Sequence, residues 1–244
     1  VNDTVIDLRN LTKDYGPMRA LDDVSFSVHR GEIFGYVGAN GAGKTTTIKI
    51  LAGLTRPNWG DAVVLGHSVQ TDAIRVKAAI GYLPESGAVF EKLSPREYLT
   101  SMGYLYKMNE ERIAAQVARW LLYFGLSDRA DQRMGAFSKG TKQKVSWIAA
   151  ILHDPQVLIL DEPLTGLDAE TIARIKDFMQ DFVSQGRTIF YSSHLIDIVE
   201  KICTRIAVLH RGRLVGAGSI DEMRALFDAP ALEQALLKFW QGQA

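Results

Sequence analysis

One stretch limits the possible folds more than any other: Gly38-Ala39-Asn40-Gly41-Ala42-Gly43-Lys44-Thr45, which fits the pattern G-x-x-x-x-G-K-[ST]. It follows an apolar run, Ile33 to Val37, and precedes a helical run, Thr46 to Ala52, that Gly53 is placed to stop. Strand, glycine-rich turn and helix in that order aim backbone N–H groups and the positive end of a helix at a polyphosphate. Residues Gly38 to Gly43 form the cradle and Thr46 extends it. Lys44 adds a point charge, and the Thr45 hydroxyl is a ligand suited to Mg²⁺.

A second element sits farther along. The apolar strand Val157-Leu158-Ile159-Leu160 ends in Asp161-Glu162-Pro163, which puts two acids at the carboxyl edge of the same sheet, where ligands bind in such folds. Alone, an acid pair before proline can simply end a strand. Beside a phosphate loop, Asp161 is expected to hold Mg²⁺ through its water shell, and Glu162 to orient and deprotonate the attacking water.

The rest of the chain fits a globular α/β protein. Short β-branched runs (Val24 to Val28, Ile33 to Val37, Val157 to Leu160, Thr188 to Tyr191, Arg205 to Leu209) alternate with amphipathic stretches. The clearest helix is Asp168 to Gln185, closed by Gly186. That alternation predicts a mostly parallel buried sheet. From about residue 94 to 152 the pattern is helical, opened by the capping box Ser94-Pro95-Arg96-Glu97, and no strand is expected there. Residues 1–30 and about 60–83 read as an antiparallel β subdomain, and no linker divides the 244 residues into separate folding units. Leu232, Ala235, Leu236, Phe239 and Trp240, after Pro230, form the stripe of a short amphipathic helix expected to pack on its own domain and to end the chain without an added regulatory domain.

Charge and cysteine content narrow the surroundings. Lysine plus arginine balance aspartate plus glutamate at 28 each, so no bulk positive charge favours nucleic acid or an anionic bilayer. The single cysteine, Cys203, cannot pair within the chain, which suits a reducing compartment. The longest apolar stretch, Val145 to Leu152, is far short of the ~20 residues of a membrane span. The N-terminus lacks the charged-then-apolar layout of a signal peptide.

Together these motifs resemble the ATP-binding cassette of ABC transporters, along essentially the whole chain. The resemblance implies an α/β fold with a P-loop NTPase core, an antiparallel β subdomain and an inserted helical subdomain. Phe137-Ser138-Lys139-Gly140-Thr141-Lys142-Gln143 is similar to the family's signature loop, where Ser138, Lys139 and Gly140 serve the nucleotide held by an opposite subunit. Leu164-Thr165-Gly166-Leu167-Asp168 resembles the loop that crosses that interface, and Asp168 is also placed to cap the next helix. Ser192-Ser193-His194 resembles the switch in which His194 senses the γ-phosphate and positions water and Glu162. Tyr15 matches the aromatic residue that stacks on adenine.

Two departures stand out. Glu85 occupies the place where most cassettes carry a glutamine ligand for Mg²⁺, which adds negative charge near the γ-phosphate. Lys139 and Thr141 replace the commoner glycine and glutamine, a variant similar to the subfamily serving drug, lipid or sodium exporters.

The resemblance implies an ATPase using ATP and Mg²⁺, a head-to-tail dimer (a homodimer has two competent sites), and a separate integral-membrane permease docking at residues 85–105. Tyr98, Tyr104 and Tyr106 fall in or beside that segment, where most are expected to serve core packing. The implied location is cytoplasmic, peripheral on the membrane, with no nucleic-acid partner. The competing reading, a cassette ATPase acting on ribosomes or DNA, normally joins two cassettes or inserts a long coiled coil, which this length does not accommodate.

Overall fold

The computed structural model describes residues 3–85, 89–228 and 231–242. In chain order, β1 (Thr4–Tyr15) and β2 (Met18–His29) form a long hairpin, and β3 (Ile33–Val37) leads through the glycine-rich loop into α1 (Lys44–Leu51). Next come β4 (Trp59–Val64), β5 (His67–Ser68), α2 (Ala73–Ala79) and β6 (Ile80–Leu83). The helices α3 (Pro95–Leu105), α4 (Glu110–Tyr123) and α5 (Lys139–Ile151) follow with no strand between them. The chain then alternates β7 (Val157–Asp161), α6 (Ala169–Ser184), β8 (Thr188–Ser193), α7 (Ile196–Ile202) and β9 (Arg205–His210). It finishes with β10 (Arg213–Ser219), α8 (Ile220–Leu226) and α9 (Leu232–Gly242).

Two sheets share the work. One is antiparallel, in the order β2-β1-β4-β5; the other runs β10-β9-β3-β8-β7-β6 and is parallel except for β10. Every residue of β3, β7 and β8 is buried, which explains their unbroken apolar reading: both faces of these central strands are covered. Between the sheets, Phe26 stacks on Phe34 with centroids 5.3 Å apart, and Tyr36 and Phe190 meet at 5.2 Å. The other face of the parallel sheet is covered by α5, α6 and α7.

One boundary differs from the sequence reading. The β subdomain expected over residues 60–83 ends at Ser68, since residues 73–79 are helical and β6 pairs in parallel with β7, from Ile80↔Val157 to Leu83↔Leu160. The reason is local. Ala73 to Ala79 buries only Val76 and leaves Ile74 exposed, so its apolar residues mimic alternation without a buried face, while Ile80 and Leu83 are claimed by a strand far away in sequence.

The helical segment is stitched to the core at identifiable points. Ser94 accepts a bond from Glu97 N–H while the Glu97 carboxylate accepts from Ser94 N–H, the reciprocal cap that starts α3. Trp147 is fully buried, and its Nε1–H donates to Pro163 O at 2.9 Å. His153, beyond α5, stacks on Tyr106 with centroids 3.6 Å apart, and its Nε2–H donates to Ile80 O at 2.9 Å. Tyr98 is buried as expected of a core residue, whereas Tyr104 is exposed.

At the C-terminus, α9 buries Leu232 and Leu236 and sets Phe239 against Phe227 and His210, so the amphipathic stripe packs on this domain. Pro230 and residues 86–88 of the expected docking segment lie outside the described residues. No described helix is long and apolar enough to cross a membrane.

Candidate functional site

The parallel register brings the functional residues to one edge. Val37, the last residue of β3, pairs with Ser193 of β8, and Asp161, the last of β7, pairs with Ser192. The phosphate loop, the acid pair and His194 therefore emerge side by side, at the carboxyl ends where the strand order changes direction. They border an open cleft of about 650 Å³, with the loop from Asn40 to Thr46 on one side and Glu85, Asp161, Glu162 and His194 on the other.

The loop's shape depends on close approach. Gly43 has φ +112, and a Cβ there would come within 2.5 Å of Ala20 O, so no side chain fits. Behind the loop, Ala42 O accepts a bond from Gly212 N–H at 2.9 Å. Lys44 is buried, with its ammonium donating to Gly38 O at 2.6 Å and Ala39 O at 3.2 Å. Burial lowers its pKa, opposed by the negative charges of Glu162, Asp161 and Glu85.

The acids are held by the next strand. Ser192 Oγ–H donates to Asp161 Oδ1 at 3.1 Å, and Ser193 Oγ–H donates to Glu162 Oε2 at 3.1 Å. Burial raises the Asp161 pKa, hydroxyl bonds from Ser192 and Thr45 oppose the rise, and the neighbouring Glu85 and Glu162 add to it. Glu162 Oε1 accepts from His194 N–H at 2.9 Å and from the His194 Nδ1–H at 2.7 Å. That contact fixes the neutral imidazole as the Nδ1–H tautomer, which leaves Nε2 as its acceptor nitrogen. The Glu162 side chain is 8% exposed and that of His194 45%, so a buried carboxylate is gripped by a ring that solvent or substrate can reach.

Glu162 also has φ +48, a conformation that costs a non-glycine residue of order 1–3 kcal/mol. It is over-determined by Glu162 N–H to Ser192 O and Thr165 N–H to Glu162 O. The two serines are the functional residues that sequence reasoning passed over as part of a switch motif. Their signal was present: consecutive hydroxyls closing an otherwise apolar strand.

Other expected site residues lie elsewhere. Tyr15 is exposed on the β1–β2 turn and does not line the cleft; Met18, its cross-strand partner, does. Ser138 caps α5 by accepting from Thr141 N–H at 3.2 Å, and Ser138 and Lys139 are exposed away from the cleft. Gly140 packs so tightly on Gly166 O that a Cβ would collide with it. Asp168 caps α6 through Thr171 N–H at 2.8 Å and pairs with Lys144 at 2.9 Å, contacts that hold its carboxyl well below the usual range.

A strand, phosphate loop and helix on a sheet of this order make the protein a P-loop nucleotide hydrolase of the α/β class. The protein-family model described as ABC transporter matches residues 21–165. An uncharacterized ABC transporter ATP-binding protein of Methanocaldococcus jannaschii is 36% identical over 218 residues, covering 89% of this chain and 79% of the relative. A solved ATP-binding subunit of an ABC transporter superposes with TM-score 0.88 at 32% identity over 98% of this chain and 99% of that one. The cbiO1 protein of Clostridium perfringens, part of the ABC transporter complex cbiONQ, has TM-score 0.77 at 26% identity over 92% of each chain. The chain belongs to the ATP-binding cassettes of ABC transporters and is an ATPase subunit of that class. These relatives are transport subunits, which places the protein on the transport side rather than with ATPases acting on ribosomes or DNA.

Proposed function

We propose that this cassette hydrolyses Mg²⁺-bound ATP at the cleft between the phosphate loop and the acid pair, and that the cycle drives a separate membrane permease. The observation that carries the reading is Glu162, a nearly buried carboxylate held by Ser193 and His194 at the mouth of the loop. A carboxylate so oriented is suited to accept a proton from an attacking water. Lys44 and the N–H groups of the loop and of α1 bind the phosphates, and His194 keeps Glu162 in register with the nucleophile.

The donor set fits Mg²⁺. Thr45 and Asp161 share a hydroxyl contact, and Glu85 is close enough for its charge to raise the pKa of Asp161. Mg²⁺ usually keeps several waters and is held by one or two protein oxygens plus phosphate, a set that a hydroxyl and a carboxylate at this cleft can supply. When bound, the ion neutralises charge on the phosphates; Thr45 and Asp161 would hold it, with Glu85 as a further candidate.

The signature segment is read as the other half of a composite site. Ser138 and Lys139 are exposed at the start of α5, Gly140 beside them packs on Gly166 O, and Asp168 is tied to the same helix through Lys144, so a second cassette in head-to-tail arrangement completes each site. Export is the direction suggested by Lys139 and Thr141 in the signature, and the location is the cytoplasmic face of the membrane. The cbiO1 protein is part of the transporter complex cbiONQ, and the same kind of assembly is inferred for this chain.

Purification of the tagged chain from detergent-solubilised membranes, with mass spectrometry of what accompanies it, tests the partner. A polytopic membrane protein is the expected companion; recovery only with ribosomal proteins or nucleic acid overturns the transport reading. Phosphate release that persists undiminished in excess chelator overturns the Mg²⁺ assignment.

A further inference from the structure

Arg211 occupies the two-residue turn between β9 and β10, with φ +49, followed by Gly212 at φ +79. Positive φ at both central positions matches a type I′ hairpin turn, whose first position suits Asn, Asp or Gly. An arginine there adopts a conformation its backbone disfavours, and such positions repay a search for function. The turn is also anchored on both sides: Gly212 N–H donates to Ala42 O at 2.9 Å, and Asp22 N–H donates to Gly212 O at 2.8 Å. It is pinned between the back of the phosphate loop and β2, and Arg211 lines the nucleotide cleft.

Charge accounting singles out this residue. Arg19, which also borders the cleft, is committed to Asp14 at 2.9 Å and Asp22 at 3.0 Å. Arg213, on the same hairpin, is paired with Asp22 at 2.6 Å. Arg211 has no carboxylate partner among the described residues, although it stands in a cleft built for an anion. A guanidinium brings several donors in a planar fork matched to phosphate oxygens, and its weak hydration makes it inexpensive to engage.

The sheet order says which phosphate it meets. β9 flanks β3 on one side, while β8, β7 and β6, which carry His194, the acid pair and Glu85, lie on the other. The reacting phosphate belongs at the acids, and Arg211 stands across the loop from them. The geometry points to Arg211 as a nucleotide-binding residue that contacts the phosphate nearest the ribose. The inference rests on the ATP-site reading above and adds to it a contact made equally to di- and triphosphate.

Calorimetric titration of the full chain with ADP and with the non-hydrolysable analogue AMP-PNP tests this. Arg211→Ala is expected to weaken both about five- to twentyfold, leaving their ratio unchanged, with the loss shrinking as salt rises. Arg211→Asn, which tolerates the left-handed turn, should lose as much, and Arg211→Lys should recover most of it. Unchanged affinities in Arg211→Ala overturn the assignment. So does a loss confined to AMP-PNP, or a loss in Arg211→Ala that Arg211→Asn does not share, since the latter would report the turn and not the charge. Lys44→Ala separates the two readings: if it binds as tightly as the wild type, the ATP site itself is misplaced. If only Lys44→Ala loses binding, the site stands and the role of Arg211 falls.

Discussion

The cleft and the start of α5 carry comparable chemistry but are held in opposite ways. In the cleft, Lys44, Asp161 and Glu162 are buried, and each is hydrogen-bonded within the same chain: to Gly38 O, Ser192 and Ser193. At α5, Ser138 and Lys139 are exposed, and among the described residues the Ser138 hydroxyl bonds only to Thr141 in its own first turn. Burial lets strand register set positions to within a fraction of an ångström; an exposed helix start has no such frame and acquires a task only when another body meets it. The first region is held within one chain, whereas the second is the part that the proposal above assigns to a second cassette.

The sharpest way to break this contrast is Glu162→Gln. Without the carboxylate proposed as general base, turnover should fall by about a thousandfold, within the range for acid–base groups, and an ATP-bound dimer should be trapped, visible by size exclusion. Hydrolysis at the wild-type rate would remove Glu162 from the chemistry. Ser138→Ala should leave nucleotide affinity of the single chain unchanged yet cut turnover at least about tenfold, while the lost cap costs about 1 kcal/mol of stability. If single-chain affinity falls as far as turnover, α5 belongs to the same chain's site after all. Ser193→Ala removes one charge-assisted bond and should slow turnover about tenfold, read from the initial rate at saturating ATP. Last, Glu85→Gln should shift nucleotide affinity less than about twofold, since Mg²⁺ draws only one or two ligands from protein. A large loss in a calorimetric titration would make Glu85 a required ligand.

What could be read from the sequence follows the same division. The phosphate loop and the acid pair are contiguous strings whose neighbours in sequence are also their structural context, so strand, turn and helix were legible together. The end of β7 at Asp161, the cap at Asp168 and the capping box at Ser94 likewise depend on residues a few positions apart. β6 was assigned to the wrong sheet because its partner, β7, lies across the whole helical segment. The grip of Ser192 and Ser193 on the acids is a cross-strand fact that no local pattern reports. Tyr15 is exposed on its turn, paired with Met18, which reaches the cleft, a cross-strand placement that the local string does not report.

His153 turns the joint between the helical segment and the core into a proton-linked element. Its burial pushes the imidazole pKa down to about 4, against about 6.5 when unfolded. Between those values the unfolded chain binds the extra proton and the folded one refuses it. Folding stability should therefore be fully present above about pH 6.5 and decline as the solution is acidified toward 4, by at most about 1.4 kcal/mol per pH unit from this one group. Urea midpoints for the wild type and His153→Phe at pH 7 and pH 5 read the difference directly. A phenylalanine keeps an aromatic face for Tyr106 but cannot be protonated, so the variant should lose less stability on acidification than the wild type, and equal losses would show that the joint takes no part in acid unfolding.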